Sequence, residues 1–214
     1  MISAGNDIVA LNKVDAQRTN QFAFYSKILS TSEQALYNLA QCSGLPLEHY
    51  VWLLWSVKES AYKYLKRRNP GIIFSPAKFI VNDAELCEAE PLTPGTQKLY
   101  KGKVSYGKST LCFTSKITAE WIASVVNDSS DFENICWQVA QVEDDKYQYQ
   151  YNAVRTLLIA ELNSLVPGSL VIEKNPVGYP EIIKNSHKIN IPISIAHHGL
   201  FVSYAFNLTD FKLN

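Results

Sequence analysis

The chain has 214 residues, of which 47% are hydrophobic and 19% charged. That composition is typical of an ordered globular protein and excludes a disordered chain. Its 20 basic residues balance its 20 acidic ones, so no net charge draws the chain to nucleic acid or to a membrane surface. Any anion site must be local.

The cysteines and the N-terminal segment bear on the cellular compartment. Four cysteines lie far apart, without a CxxC pair or a His at ligand spacing: Cys42, Cys87, Cys112 and Cys136. This pattern argues against a zinc ribbon or a disulfide framework and predicts reduced, mostly buried thiols. The N-terminus lacks a basic segment followed by an apolar run, and the chain has no stretch of about 18 apolar residues. By default, we expect a cytoplasmic protein that does not bind membranes.

The first part of the chain predicts a strand followed by helices. Residues 2–11 are apolar except around Gly5 and Asp7, which indicates a strand whose middle exposes one carboxylate. Helix formers occupy 17–42, and the pattern over Leu47–Arg68 is the strongest helical prediction in the chain.

The remainder is rich in predicted strands. β-Branched and aromatic residues recur over 72–81 and 98–126, which predicts antiparallel strands. The polar segment 127–134 is the candidate boundary between two units. After it we expect a strand over 135–142, a helix over 149–165, and further strands.

A weak internal repeat indicates how these elements are organised. The sequence FTSKITAEWIASVV (113–126) aligns with ISIAHHGLFVSYAF (193–206), and each predicts a strand, a short turn and a second strand. Such hairpins can recur by chance in a β-rich protein, but their position at the ends of two similar halves favours duplication. We therefore predict an α+β fold of two pseudo-twofold-related halves, 1–128 and 129–214, each an antiparallel sheet packed with helices.

The helix predicted over Leu47–Arg68 carries a candidate site. Taken alone, Glu59 and Lys63 form an exposed i,i+4 ion pair, which stabilises a helix by only about 0.2–0.5 kcal/mol. Five cations, however, crowd around this one carboxylate: Lys58, Lys63, Lys66, Arg67 and Arg68. Such a cluster suits a multiply charged phosphate ligand, with Glu59 offering an oxygen to a bridging metal.

A second carboxylate and a histidine pair are further candidates. Asp7 beside a glycine often only caps backbone N–H groups, yet Mg²⁺ bound to phosphates needs only one or two protein carboxylates. His197 and His198 alternate along a predicted strand, so at most one faces a given site. In isolation, Arg155 is equally well an ordinary surface charge.

Two motifs together resemble a known family. Gly5-Asn6-Asp7-Ile8-Val9, then Trp55-Ser56-Val57-Lys58-Glu59-Ser60 and Lys63, resemble the GxDxx and WxxKES signature of the 4′-phosphopantetheinyl transferases. In this order and at this distance the pair is fairly specific. The resemblance implies magnesium-dependent transfer of the 4′-phosphopantetheine arm of coenzyme A to a serine of an apo acyl, peptidyl or polyketide carrier protein, with release of 3′,5′-ADP.

The order of the motifs is unusual for the family. Its double-length, surfactin-synthetase-activating form is a monomer of two similar halves, in which a GxP turn and a strand with a histidine precede GxD. Here Gly178-Tyr179-Pro180 and Ser194-Ile195-Ala196-His197 follow it, which favours a circular permutation. The alternative is the short, trimeric form enlarged by an insertion. The strand-rich hairpin before Asn127 favours permutation, and with it a monomer whose halves mimic a dimer.

The resemblance also implies roles for individual residues. Asp7 and Glu59 would bind Mg²⁺, Lys63 would neutralise the leaving phosphate, and Glu59 or a metal-bound water would take the serine proton. The implied coenzyme A-binding side chains are Lys58, Lys63, Arg155, Tyr179, Ser194 and His197. The basic stretch 66–68 would attract an acidic carrier protein.

Several positions depart from the family pattern. Val9 and Ala10 stand where members carry an additional acid, Tyr179 replaces the lysine of the GxP turn, and Ala196 replaces a serine. These departures support a second hypothesis, a catalytically weak module that binds coenzyme A or a carrier protein. A third, a structural protein without a ligand, leaves the cation cluster unexplained.

Overall fold

The structure is a computed structural model that describes residues 4–37, 44–87, 97–166 and 168–211. Its first part contains β1 (Gly5–Ala10), α1 (Ala16–Thr19), α2 (Phe22–Tyr25), α3 (Thr31–Tyr37), α4 (Leu47–Arg68), β2 (Ile80–Cys87), β3 (Lys98–Tyr106), β4 (Ser109–Ile117) and β5 (Trp121–Asn127). Its second part contains β6 (Ile135–Gln141), α5 (Tyr147–Leu165), β7 (Leu170–Lys174), β8 (Pro180–Lys184), β9 (His187–Ile189), β10 (Ile193–His198) and β11 (Phe201–Asn207).

All the strand pairings between these elements are antiparallel. The first part forms one sheet in the order β1-β5-β4-β3-β2, and α4 packs across β1 and β5. The second part forms two sheets, β10-β11-β6 and β7-β8-β9, against which α5 packs. The predicted α+β class, with antiparallel sheets packed against helices, is confirmed.

The two hairpins of the predicted repeat pair in the same register. Phe113 pairs with Val126 in β4 and β5, and Ile193 pairs with Phe206 in β10 and β11. In each part, the first strand pairs with the second strand of the hairpin, so the order β1-β5-β4 matches the order β6-β11-β10. The two parts thus share this strand order and hairpin register.

Each part has its own apolar core, and two smaller clusters join them. The first core lies under α4 and the second under α5. The buried residues of the joining clusters are Ile8, Ala10, Ala123, Ala196 and Phe201 in one, and Ala4, Val125 and Ala205 in the other. Strand β1 therefore contributes both to the first core and to the contact with β10 and β11.

Some elements differ from their predictions. In place of a strand over 72–81, the chain has irregular structure and a short 3₁₀ turn before β2. Here Phe74 packs beside Trp55 and Tyr62 of α4, with ring centroids 5.3 and 5.1 Å away, so its side chain serves helix packing rather than a sheet. The helix formers over 17–42 belong to three short helices where they are described, and the last begins at Thr31, where Thr31-Ser32-Glu33 predicts the start of a second helical segment.

The structure also describes two of the four cysteines as free thiols. Cys112 and Cys136 are free but half-buried, so they are more accessible than predicted. Cys42 lies outside the described residues. Among the described helices, none combines the length and apolar character needed to cross a membrane.

Lys58 is the clearest correction to the sequence interpretation. Its Nζ donates to Glu33 Oε2 at 2.7 Å and to the Ile28 carbonyl at 2.6 Å, and both charged side chains are fully buried. Lys58 shares a helix face with Leu54 and Ala61, which point to the core. It therefore cannot bind coenzyme A, because it lies inside the first part of the fold rather than at a cavity.

Replacing Lys58 tests this buried ion pair. We expect Lys58→Met to lower the free energy of unfolding by roughly 3–5 kcal/mol, because Glu33 would remain buried and charged without its partner. Urea unfolding followed by circular dichroism measures the change. The matched control is Lys146→Met, which removes an exposed ion pair with Asp144 and should leave the unfolding midpoint unchanged. A loss below about 1 kcal/mol in Lys58→Met would contradict the buried pair.

Candidate functional site

The site begins where β1 lies directly on α4. A Cβ atom at Gly5 would stand 2.1 Å from the Ser60 carbonyl oxygen, so only glycine allows this approach. Ser60 Oγ extends the contact by donating to the carbonyl of Ser124 in β5 at 3.1 Å. The close packing places Asp7, two residues after Gly5, beside the next turn of α4.

Lys63 bridges the two carboxylates predicted for the site. Its Nζ lies 3.0 Å from Asp7 Oδ1 and 3.5 Å from Glu59 Oε1, and it also donates to the Asn6 carbonyl at 3.1 Å. Asp7 is buried, whereas about a quarter of each of the Lys63 and Glu59 side chains is exposed. The structure thus brings together the three predicted catalytic side chains.

Burial and charge set the protonation of this group. Burial raises the pKa of Asp7 from 3.8 to about 7; the charge of Lys63 opposes this rise, while the charge of Glu59 adds to it. Burial lowers the pKa of Lys63, but Asp7 and Glu59 outweigh it and the net shift is upward. The ammonium therefore persists at neutral pH, while the Asp7 carboxyl is poised between its two forms.

The donor set fits a magnesium ion that also binds phosphate. Among the described residues, no cluster of three or more His, Cys, Asp or Glu side chains is placed to hold a metal alone. Two carboxylates suffice when phosphate oxygens and water complete the octahedron. Burial raises the pKa of Asp7 in spite of the charge of Lys63, so a further cation beside Asp7 would favour its charged form. Val9 and Ala10 are apolar and buried, and add no ligand.

A cavity of about 280 Å³ opens beside Lys63, between the two parts of the fold. Its walls come from α4, α5, β7, β10 and the turn before β8. Five cations line it: Lys63, Lys66, Arg67, Arg155 and Lys174. Four tyrosines do so as well: Tyr62, Tyr147, Tyr151 and Tyr179. Of the described residues lining this cavity, none is acidic, so its lining favours an anion although the chain has no net charge.

Aromatic faces and neutral oxygens hold these cations in place. The Arg155 guanidinium lies 3.2 Å from the centre of the Tyr151 ring and donates to the Tyr151 carbonyl. The Arg67 guanidinium lies 4.7 Å from the centre of the Tyr179 ring and donates to the Pro180 carbonyl. Burial lowers the pKa of Arg67 to about 10, so it remains charged at neutral pH. Their positive charge is thus available to a ligand.

The structure distinguishes the two adjacent histidines. His197 lines the cavity, with its ring 5.5 Å from that of Tyr147. Burial, followed by the charges of Lys63 and Lys174, lowers the pKa of His197, so it is neutral at pH 7. His198 points the other way, and its Nδ1 accepts a hydrogen bond from the Ala10 backbone N–H at 2.9 Å.

The remaining predicted binding residues also reach the cavity. Arg155, Tyr179 and Ser194 all line it, and Ser194 Oγ accepts from the Asn6 backbone N–H at 3.0 Å. The sequence interpretation missed Tyr147 and Tyr151 as cavity residues. The helix begins at Tyr147, two residues before its predicted start, and the i,i+4 spacing then places both rings on one face.

Comparison with known proteins bears on the first part of the chain. The model of the 4′-phosphopantetheinyl transferase superfamily (ACPS) matches residues 3–126, which is more than half of the chain and spans Asp7, Glu59 and Lys63. The cavity residues from α5 to β10 lie beyond the matched range. Searches of curated proteins and of solved structures found no match.

The titration of Asp7 tests the electrostatics of the site. In metal-free protein, we expect the ¹³C carboxyl resonance of Asp7 to titrate with a midpoint near pH 7. Lys63→Met should raise the midpoint, because it removes the cation that favours the anion, and Glu59→Gln should lower it. Lys146→Met, on the exposed pair with Asp144, is the control and should change nothing. A midpoint near 3.8 in the parent protein would contradict the site.

Proposed function

Because the chain belongs to the 4′-phosphopantetheinyl transferase superfamily, we propose that it transfers the 4′-phosphopantetheine arm of coenzyme A to a serine of an apo carrier protein. The carrier is of the acyl, peptidyl or polyketide kind, and 3′,5′-ADP is released. One observation carries the proposal: Asp7 and Glu59 both pair with Lys63, which lines a cavity whose described residues include five cations and no acid.

The reaction needs positioning and charge neutralisation more than covalent help. The carrier serine oxygen forms a bond to the β-phosphorus of coenzyme A, and the bond from that phosphorus to the oxygen of 3′,5′-ADP breaks. Glu59, about a quarter exposed beside Lys63, takes the serine proton. Lys63 neutralises the negative charge that collects on the leaving phosphate. Asp7 and Glu59 would hold Mg²⁺, which neutralises the pyrophosphate when it is bound.

The cavity suits the nucleotide end of coenzyme A. Arg155, Lys174 and His197 offer donors to phosphate oxygens, and the tyrosine rings beside them offer faces for a purine. A volume of about 280 Å³ lies near the lower end of ligand pockets. The nucleotide therefore fills the cavity, and the pantetheine arm extends outward to the carrier protein.

We further propose that the chain is the double-length form with its halves permuted. Residues 1–128 carry the GxD and KES motifs, and residues 129–214 supply Arg155, Tyr179 and His197. The matching register of β4-β5 and β10-β11 supports two related halves over an insertion into a short form. A cavity lined by both halves within one chain supports a monomer, since no second copy is needed to complete it.

One observation favours the weaker alternative, a module that binds coenzyme A or a carrier protein without efficient transfer. Tyr179 lines the cavity where a lysine would meet a phosphate, and Val9 and Ala10 offer no further metal ligand. Binding and transfer therefore have to be measured separately.

A transfer assay tests the enzyme proposal. The protein is incubated with coenzyme A, Mg²⁺ and a panel of apo carrier proteins, and mass spectrometry detects the added phosphopantetheine. We expect Asp7→Asn and Glu59→Gln to lower kcat on the order of a hundredfold or more, because each removes a metal ligand. Chelation by EDTA should abolish transfer, and Mg²⁺ should restore it.

The matched control for these variants is Glu120→Gln, an exposed acid in the turn between β4 and β5, which should retain parental activity. Coenzyme A binding without transfer to any carrier would support the binding module instead. If the protein neither binds coenzyme A nor transfers its arm, both proposals are wrong.

A binding measurement tests the cavity itself. We expect Arg155→Met to raise the Kd for coenzyme A about tenfold, because a charge-assisted hydrogen bond to phosphate contributes about 1.5–3 kcal/mol. Isothermal titration calorimetry gives this value. The control is Arg18→Met, because the Arg18 guanidinium lies outside the cavity, over the Phe24 ring of α2. Equal affinities for the parent and Arg155→Met would place the nucleotide elsewhere.

A further inference from the structure

Among the described strands, none pairs with one edge of the strand that carries Asp7. One edge of β1 pairs with β5, and backbone N–H groups alternate between the two edges of a strand. The N–H groups of Asn6, Ile8 and Ala10 therefore point to the opposite edge, which faces β10. This edge lies between the two parts of the fold, beside the cavity.

Two of these three N–H groups are satisfied by side chains of β10. Asn6 donates to Ser194 Oγ at 3.0 Å, and Ala10 donates to His198 Nδ1 at 2.9 Å. Between them, the N–H of Ile8 lies near the carboxylate of Asp7 and favours its charged form. The two hydrogen bonds to β10 thus lie on either side of Asp7 along β1, at Asn6 and at Ala10.

The turn after β10 is shaped to bring His198 to this place. Gly199 has a φ of +56°, and a Cβ there would lie 2.8 Å from the Cβ of Ala10, so a side chain would push the turn away from β1. The Gly199 carbonyl accepts from Gln150 Nε2 of α5 at 2.5 Å. This hydrogen bond holds the turn against α5 in the second part of the fold, while the imidazole of His198 contacts β1 in the first.

We propose that His198 is a positioning residue, which holds the Ala10 end of β1 through its Nδ1 and so fixes Asp7 against Lys63 and the ligand. Its catalytic consequence rests on the function proposed above. Because Nδ1 accepts a hydrogen bond, the imidazole is the neutral tautomer with its proton on Nε2. His197 binds the ligand, whereas His198 acts on the strand that binds the metal.

Asparagine and leucine at this position separate the hydrogen bond from the bulk of the ring. In His198→Asn, the amide oxygen can replace Nδ1 as the acceptor, while His198→Leu fills space without an acceptor. The matched control is His187→Leu, because His187 is exposed on β9 and its Nδ1 lies by the Asn185 carbonyl, away from the cavity.

Hydrogen exchange tests the anchor without reference to activity. We expect His198→Leu to speed exchange of the Ala10 amide about tenfold, because the buried N–H loses its acceptor, and His198→Asn to restore most of the protection. Long-range ¹⁵N spectra of the parent should show His198 Nδ1 unprotonated. Unchanged Ala10 exchange in His198→Leu, or a proton on Nδ1 at neutral pH, would overturn the proposal.

Metal affinity and kinetics test the consequence for Asp7. We expect His198→Leu to weaken Mn²⁺ binding, measured by water proton relaxation, and to lower kcat about tenfold with KM for coenzyme A changed less than about twofold. His198→Asn should recover both, and His187→Leu should match the parent. If kcat in His198→Leu falls only in proportion to the loss of stability, and His198→Asn does not restore it, His198 is merely structural. A parent that transfers nothing refutes the proposed function, while Ala10 exchange and Mn²⁺ affinity still decide the role of His198.

Discussion

Strand β1 is the constraint on which the site depends, because three different contacts fix it. One face lies on α4 where Gly5 meets the Ser60 carbonyl, one edge pairs with β5, and the other edge meets side chains of β10. A strand held in this way has little freedom to move relative to α4. That rigidity holds the buried carboxylate of Asp7 and the ammonium of Lys63 3.0 Å apart, although they come from different elements.

Much of the fold could be predicted from the sequence where local and tertiary preferences agree. The helix over Leu47–Arg68 has its predicted bounds, because apolar periodicity and Asn69-Pro70-Gly71 define the same end. The segment 72–79 shows the opposite case. Its apolar residues have strand propensity, but Phe74 packs between aromatic rings of α4, and such tertiary packing is invisible to a local pattern.

The candidate site could be predicted only in part, for a similar reason. Two short motifs identified Asp7, Glu59 and Lys63, since each motif fixes the spacing along one element. Lys58 was wrongly assigned because counting cations ignores the helix face on which each lies. The role of His198 depends on how two distant strands meet, which no spacing along the chain reveals.

Helix α4 shows what distinguishes a structural cation from one available to a ligand. Lys58 is neutralised by Glu33 in the core, so its charge has no effect on the cavity. Arg67, nine residues later, donates instead to backbone carbonyls and lies against the Tyr179 ring, and these partners carry no net charge. Since carbonyls and ring faces orient a guanidinium without cancelling its charge, the electrostatic attraction remains for an incoming phosphate. A chain of zero net charge can therefore hold a strongly cationic cavity. Asp7 and Glu59 pair with Lys63 beside the cavity, and none of the described residues that line it is acidic.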